Sequence, residues 1–393
     1  MMNDLRSGGG RGGPAPGTPG GPSGSLPGLY VHVPFCKTKC PYCDFYSITS
    51  GTPVERWLDA LAGEAALYRG LFGTFDTLYV GGGTPSLLRE AEIARLFEIL
   101  AAVFDFAAGS EVTIEANPDD VTSRGLARWR ELGVNRVSLG VQSFDDGALR
   151  FLRRRHTAAR AHEALALLRE AGFSNIGVDL IYGFEGQSID LWRRTLERAL
   201  DYRPEHVSCY QMTIERSTEF GAMLAAGSLA AIDEETQRAF FMETSAILTG
   251  RGYIHYEISN FARSEKLLSR HNSKYWSRRP YLGLGPSAHS FRDGRRWWNV
   301  RSVESYCALL ERKESPIEDS ETLGEEEIAI ETLALGFRTR DGVPVEALRR
   351  YPGWERTLKT LVNGGLVTLA DERAAPTASG FCVADRLAAA FAG

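Results

Sequence analysis

The chain has 393 residues, 43% hydrophobic and 24% charged, with 45 Lys and Arg against 50 Asp and Glu, a net charge of -5. That length suits two domains, or one large domain with an appendage, and the apolar content supports a core without disulfide staples. The charge balance argues against a polycation that coats nucleic acid. No run approaches the ~18 uninterrupted apolar residues of a membrane span; the best, 96–104, is broken by Glu98.

Residues 1–28 are dominated by glycine and proline, with Arg6 and Arg11 the only basic side chains and no apolar stretch after the start. This composition predicts a disordered tail, not a secretory signal, and fits a transit peptide less well. From residue 29, short β-rich runs alternate with helical patterns. Strands are expected at 29–33, 77–80, 111–116, 136–140, 176–181 and 206–210. Helices are expected at 54–68, 90–103, 122–131, 158–171 and 190–201. Such alternation implies βαβ units on a parallel sheet. The expected fold class is α/β, a partial (β/α)6-type barrel over 29–256 with function at the C-terminal strand ends. Residues 257–320 read as an aromatic and basic connecting region. From 321 a helix runs to 335, short helices follow near 345–349 and 354–363, then a strand at 366–369, a polar turn and a last helix over 378–391. Helices followed by a small hairpin predict a winged-helix-like C-terminal domain over 321–393.

Three of the six cysteines fall within eight positions, Cys36, Cys40 and Cys43, just after the first expected strand; Cys209, Cys307 and Cys382 are scattered. A secreted scaffold is smaller and denser in cysteine, so the cluster reads as a metal or redox site in a reducing, cytoplasmic setting. Clustered thiolates select zinc, copper(I) or iron–sulfur. Structural zinc wants four ligands, and no fourth Cys or His lies at finger spacing. A [4Fe–4S] cube held by three cysteines leaves one iron open. Tyr42 and Phe45 are expected to shield such a cluster, and Lys37 and Lys39 to offset its charge.

The C-x3-C-x2-C spacing after a first strand resembles the radical S-adenosylmethionine (SAM) superfamily. In that superfamily the open iron chelates the methionine moiety of SAM and an electron from the cluster breaks the C5′–S bond. Later strand ends fit the same expectation. Gly81-Gly82-Gly83-Thr84-Pro85 ends the second strand, where glycines let a ligand approach the backbone, although a glycine run alone is as readily a turn. Glu115 ends the third strand, Gln142 the fourth, Asp179 lies in the fifth, and Arg153-Arg154-Arg155-His156 lies downstream of the fourth.

In this order the phrases resemble the oxygen-independent coproporphyrinogen III oxidase family over about residues 29 to 390. The resemblance implies that Tyr30, Gly82 and Glu115 contact one SAM. It implies that Tyr42, Gly83, Thr84, Gln142, Arg154 and Asp179 contact a second SAM or its surroundings. The oxidases carry a fourth cysteine two positions after the third; here that position is Phe45, whose ring can neither ligate iron nor exchange hydrogen. This departure predicts weak or absent decarboxylation of coproporphyrinogen. Cys-Asp-Phe-Tyr-Ser resembles instead the family's heme-chaperone branch, as does His271-Asn272-Ser273-Lys274-Tyr275-Trp276, which matches that branch's H-N-x-x-Y-W heme motif. The resemblance implies heme as a ligand, with His271 on the iron and Tyr275 and Trp276 on the porphyrin face. Arg278, Arg279, Arg295 and Arg296 are placed to meet the propionates. His289 is a second candidate ligand. The implied partner is an acceptor hemoprotein, with a membrane-associated respiratory enzyme as one candidate, in porphyrin metabolism. The alternatives are the oxidase itself or another radical SAM enzyme acting on a tetrapyrrole.

Overall fold

The computed structural model describes residues 26–392; of the tail expected over 1–28, residues 1–25 lie outside them, and Gly28 already opens the first strand. The first half runs β1 (Gly28–Val33), α1 (Val54–Leu67), β2 (Thr74–Gly82), α2 (Glu90–Ala101), β3 (Asp105–Ala116), α3 (Ser123–Glu131), β4 (Arg136–Gln142), α4 (Asp146–Phe151), α5 (Ala158–Glu170), β5 (Ile176–Tyr182), α6 (Ile189–Asp201) and β6 (His206–Gln211). Every strand and helix expected here forms, with β2 and β3 longer at their N-terminal ends. Helices α7 (Glu219–Ala225) and α8 (Glu234–Gly250) then follow. The sequence reading misses α8, although Asp233 accepts from Thr236 N at 2.8 Å and Glu234 and Glu235 fill its first turn. Those are the marks of a capped helix start.

Next come β7 (Ile254–Glu257), β8 (Asn260–Ala262), α9 (Arg270–Trp276), β9 (Tyr281–Leu284), β10 (His289–Arg292), β11 (Arg295–Asn299), α10 (Val303–Glu311) and β12 (Ile317–Thr322). Among the described residues these strands join β1–β6 in one sheet of order β12-β11-β10-β9-β1-β2-β3-β4-β5-β6-β8-β7. Strands β1 to β6 are parallel, β9 runs parallel to β1, and the outer strands are antiparallel. Among the described residues no pairing closes β7 onto β12, so the barrel is partial. Residues 257–320 therefore do not simply connect two domains; they widen the barrel sheet at both edges.

Alternation along the parallel strands sorts the side chains into two layers. Val137, Leu139 and Val141 of β4, and Ile176, Val178 and Leu180 of β5, belong to the core cluster that includes residues of the surrounding helices. The opposite row is polar: Tyr30, Tyr79, Glu115, Arg136, Asp179 and Tyr210 take the alternate positions. A barrel interior is more often filled by branched apolar side chains. A polar one needs partners inside, and α9 supplies several.

Helix α9 meets this interior from the N-terminal end of the strands. Glu111 of β3 accepts from Arg270 N at 3.1 Å and from His271 N at 3.0 Å, and Lys274 Nζ reaches Leu26 O at 2.7 Å and Asp76 at 2.6 Å. The fit is close enough to dictate a glycine. A Cβ on Gly28 would fall 2.8 Å from Thr77 Oγ1, 2.9 Å from Lys274 Cδ and 3.0 Å from His271 Nδ1.

The C-terminal part has its own core, built on Leu333, Phe337, Leu348, Leu358, Leu387 and Phe391. It comprises α11 (Glu325–Gly336), β13 (Val343–Pro344), α12 (Val345–Leu348), α13 (Trp354–Asn363), β14 (Val367–Ala370), β15 (Arg373–Pro376), α14 (Ala378–Phe381) and α15 (Ala384–Ala392). Strands β14 and β15 form a hairpin whose two loop residues, Asp371 and Glu372, are both left-handed, with φ of 48° and 57°. This is the turn that matches strand twist. Helices followed by this small sheet give the expected winged-helix-like arrangement, with the last helix broken at Cys382. No helix of the described residues is long and apolar enough to cross a membrane.

Candidate functional site

The loop after β1 carries the three cysteines, and its neck is closed by backbone. Cys36 N donates to Ile48 O at 2.9 Å and Ile48 N to Pro34 O at 2.7 Å. Inside the loop, Cys43 N donates to Cys40 O at 3.1 Å. Cys36 Sγ lies 3.3 Å from Thr84 Oγ1, and Arg154 Nη1 donates to Cys40 Sγ at 3.4 Å. Burial pushes the Cys43 thiol up. All three are free thiols lining a cavity of about 660 Å³ at the C-terminal ends of the strands.

The end of β2 leans on the same neck. Gly83 N donates to Val33 O at 2.7 Å, and a Cβ on Gly83 would fall 2.6 Å from Phe35 O. Gly82 has φ +107° and donates its amide to Glu115 Oε2 at 3.0 Å. Tyr79 OH donates to Glu115 Oε1 at 2.7 Å. Among the described residues Glu115 has these two donors and no ion pair; burial dominates and raises its pKa to about 7, with Asp179 adding to the rise. Burial also raises Asp179, against hydrogen bonds from Ser208 and Ser138, the latter at 2.9 Å.

Among the described residues, three polar atoms of this cavity's lining are buried without a partner: Ser47 Oγ, Gln142 Oε1 and Arg154 Nε. Gln142 also sits at φ +65°, a conformation that a glutamine adopts only when its surroundings hold it there. The rest of the Arg154 guanidinium is engaged by Asn117 Oδ1, Gly140 O and Cys40. Orphaned polar atoms facing a cavity are what a bound polar ligand leaves when it is taken away. Among the described residues no three His, Cys, Asp or Glu side chains gather around a single-ion site. A loop with three thiols and no fourth donor suits a multi-iron cluster with one open corner better than tetrahedral zinc. The donors present thus fit a [4Fe–4S] cluster beside a polar small molecule.

Of the residues singled out from the sequence, Cys36, Cys40, Cys43, Tyr42, Gly82, Gly83, Thr84, Glu115, Gln142, Arg154 and Asp179 all line this one cavity. Tyr30 does not. It lies a layer deeper, its hydroxyl 3.0 Å from His32 Nδ1 and its ring 6.2 Å from Tyr79. Phe45 lines the cavity too, on its rim, with 69% of its surface exposed. The sequence reading gives no role to Tyr79, Asn117, Ser138 or Tyr210, which also line the cavity. Their signal was the two-residue period itself: Tyr79, Ser138 and Tyr210 stand two residues along a strand from Gly81, Arg136 and Ser208.

The H-N-x-x-Y-W segment is α9, and the structure keeps it away from the cavity. His271 is 1% exposed. Its Nδ1 lies 2.8 Å from Thr77 Oγ1 and its Nε2 lies 2.8 Å from Tyr275 OH, so both ring nitrogens are taken. Burial, with Lys274 and Arg136 nearby, lowers its pKa to about 3. Tyr275 packs edge-on against Tyr281 at 4.7 Å. Trp276 is half-buried with an unpartnered Nε1. The segment offers no open imidazole in this arrangement. Three of the four flanking arginines are also engaged: Arg278 and Arg296 with Glu331, and Arg295 over Trp297 and to Ser320. His289, by contrast, is exposed on β10, stacked on Trp298 at 5.7 Å, with no hydrogen bond to its ring from the described residues.

Comparison with known proteins agrees with this geometry. The model of the Radical SAM superfamily matches residues 30–199. The chain is 36% identical over 365 residues to the heme chaperone HemW of Mycobacterium tuberculosis, covering 91% of this chain and 93% of that protein. It is 33% identical over 375 residues to the heme chaperone HemW of Bacillus subtilis, covering 93% and 98%. Among solved structures, the coproporphyrinogen III oxidase HemN of Escherichia coli, a radical SAM enzyme, superposes with a TM-score of 0.80 over 93% of this chain and 90% of that one, at 24% identity. That last likeness bears on the fold alone.

Proposed function

The chain belongs to the heme chaperone HemW family of radical SAM proteins, and we propose that it is itself a heme chaperone, which binds a [4Fe–4S] cluster, SAM and heme and passes heme to an acceptor hemoprotein. The observation that carries the reading is the single cavity that joins three free thiols to Glu115, Gln142, Arg154 and Asp179, in a chain similar to HemW proteins over nine-tenths of its length.

In this reading Cys36, Cys40 and Cys43 hold the cluster and Arg154 compensates the charge on Cys40. The cluster, when bound, supplies an electron for reductive cleavage of SAM. Gly82 and Gly83, which line the cavity beside the cysteine loop, stand at the methionine end. Glu115 and Asp179 take ammonium or ribose hydroxyl donors, and the unpartnered Gln142 Oε1 and Arg154 Nε take the remaining polar atoms. Thr84 and Tyr42 brace the thiols. Phe45, at the rim, gives the protein no fourth thiol for hydrogen exchange, so coproporphyrinogen decarboxylation is not its activity.

A histidine that ligates heme iron must present an open imidazole nitrogen. His271 supplies one only after its Nε2 leaves Tyr275 and α9 withdraws from the barrel, with Tyr275 and Trp276 then free to face the porphyrin. His289 supplies one as the chain stands, beside Trp298 as an aromatic face. The reading sets the protein in the cytoplasm, where a reducing pool keeps its cysteines as thiols, and leaves contact with a membrane-associated respiratory acceptor to the partner. The test is an anaerobic heme titration of the cluster-reconstituted protein, followed in the Soret band, for wild type, His271→Ala and His289→Ala. Saturable one-to-one binding that one variant weakens supports the chaperone and identifies the ligand. No saturable binding turns the assignment toward a catalytic tetrapyrrole enzyme, with coproporphyrinogen turnover as the next assay.

A further inference from the structure

The polar interior of the barrel links the cavity to α9 through one short column of side chains. At its foot, His271 is clamped between Thr77 and Tyr275. Its ring stacks beneath Tyr79, with centroids 5.2 Å apart and planes 29° apart. Tyr79 OH donates to Glu115 Oε1, and Glu115 Oε2 accepts from Gly82 N. The strand above leaves room for this pair only because residue 81 has no side chain. A Cβ on Gly81 would fall 2.8 Å from Tyr79 Cε1 and 2.9 Å from Glu115 Oε1. Tyr79 is therefore held from above by the β2 backbone and from below by an imidazole that itself cannot turn.

We infer that His271 is a positioning residue for the SAM pocket: fixed by Thr77 and Tyr275, it seats Tyr79, and Tyr79 aims the Glu115 carboxylate at Gly82 and the cavity. The inference rests on the reading of Glu115 as a SAM contact. It gives the buried H-N-x-x-Y-W segment a task inside the barrel that needs no heme. Without the ring of His271, Tyr79 has space to drop toward α9 and its hydroxyl leaves Glu115.

The column also predicts how the pocket responds to pH. Glu115 is faced by Tyr79 of β2, Tyr30 of β1, Arg136 of β4, Asp179 of β5, Tyr210 of β6 and Tyr275 of α9. Arg136 is the one cation among them, and the Tyr79 hydroxyl stabilises the ionised carboxylate directly. Losing that hydroxyl raises the Glu115 pKa, so the acid limb of SAM binding moves to higher pH.

The test measures SAM binding to the cluster-reconstituted protein by equilibrium dialysis between pH 6 and 8.5. It compares wild type, Tyr79→Phe, His271→Ala and the double variant, each checked for a wild-type cluster spectrum and circular dichroism. SAM's own titration is common to all four, so differences between them belong to the protein. The expected result is a Kd raised ~10-fold by Tyr79→Phe at pH 7, the size of a hydrogen bond to a charged group. Its acid limb shifts upward. His271→Ala moves both in the same direction, and the double variant is no weaker than the poorer single variant, because the two act through one bond. If His271→Ala does not fold, Tyr275→Phe, which frees only Nε2, is expected to move Kd and acid limb the same way by less. An unchanged Kd, or a raised Kd with an unmoved acid limb, overturns the inference. A wild type that binds no SAM overturns the cavity reading and the inference with it.

Discussion

The Tyr275 hydroxyl and His271 Nε2, one helical turn apart on α9, meet at 2.8 Å, and with Thr77 on the other nitrogen they leave the imidazole no free lone pair. Any iron that takes His271 competes with one of these bonds. Removing the competitor at Nε2 while keeping the ring, as in Tyr275→Phe, then tightens heme binding by up to ~5-fold, the size of one neutral hydrogen bond. If heme resides instead on His289, the same variant leaves heme affinity untouched and His289→Ala abolishes it. Soret titrations of the two variants separate these cases.

Linkage adds a second expectation. Withdrawing α9 to free His271 removes the floor beneath Tyr79 and, through it, the aim of Glu115. Heme on His271 and SAM in the cavity should then oppose each other, by the same factor in either direction. Saturating SAM is expected to weaken heme binding, and heme to weaken SAM binding. Equal heme affinity with and without SAM would show the two sites to be independent.

Cys40→Ser is expected to abolish the visible absorption of a reconstituted cluster and leave a folded chain. The loop that carries Cys40 is closed by the backbone bonds of Cys36 and Ile48, not by its thiols, and Cys40 itself is only half-buried. Iron and sulfide analysis with circular dichroism checks both halves. Full iron content in this variant would remove Cys40 from the cluster.

The alternation of β-rich and helical runs made the barrel legible, because strands buried on both faces and helices with one apolar stripe have different periods. The cavity was legible because its groups follow strand ends, where Glu115 and Gln142 stand beside loops that must be conformationally special. What the sequence hid was depth. Tyr30 and His271 carry residue types that suit a ligand site, but one lies below the cavity floor and the other is sealed from beneath. The edge strands hid for a different reason. Residues 281–299 are rich in aromatic and basic side chains and read as irregular, yet their pairing is set by the backbone ladder with β1, and Arg278 and Arg296 find Glu331 on α11. Such long-range pairs leave no local pattern.

Phe45→Cys places a thiol where the oxidases have one. At 69% exposure the position lies on the rim of the cavity, where that thiol would be open to solvent. The substitution is expected to leave coproporphyrinogen turnover at background, since one thiol does not supply contacts to a different tetrapyrrole. Robust turnover by this single variant would mean that Phe45 alone separates the two activities. The assay is anaerobic product formation with reductant and SAM.

The last prediction concerns stability. Glu64 of α1 is fully buried and ties three elements together. It accepts from Gly285 N at 2.8 Å, Asn299 Nδ2 at 2.5 Å and Tyr306 OH at 2.5 Å. Burial outweighs these donors and raises its pKa from 4.5 to about 7. The sign follows from proton counting. Between those two values the folded chain keeps a proton that the unfolded chain has released, so this group's contribution to stability falls as pH rises from about 4.5 through 7 and is level above. Tyr306→Phe removes one donor from the carboxylate. At pH 5 Glu64 is protonated in the fold, and the lost bond is a neutral one, about 0.5–1.5 kcal/mol. At pH 8 the bond is to a charged group, and its loss costs about 1.5–3 kcal/mol. The variant is thus expected to be more destabilised at pH 8 than at pH 5 in urea denaturation of the two proteins side by side. Equal losses at both pH values would mean that Glu64 does not change charge in the fold across this range.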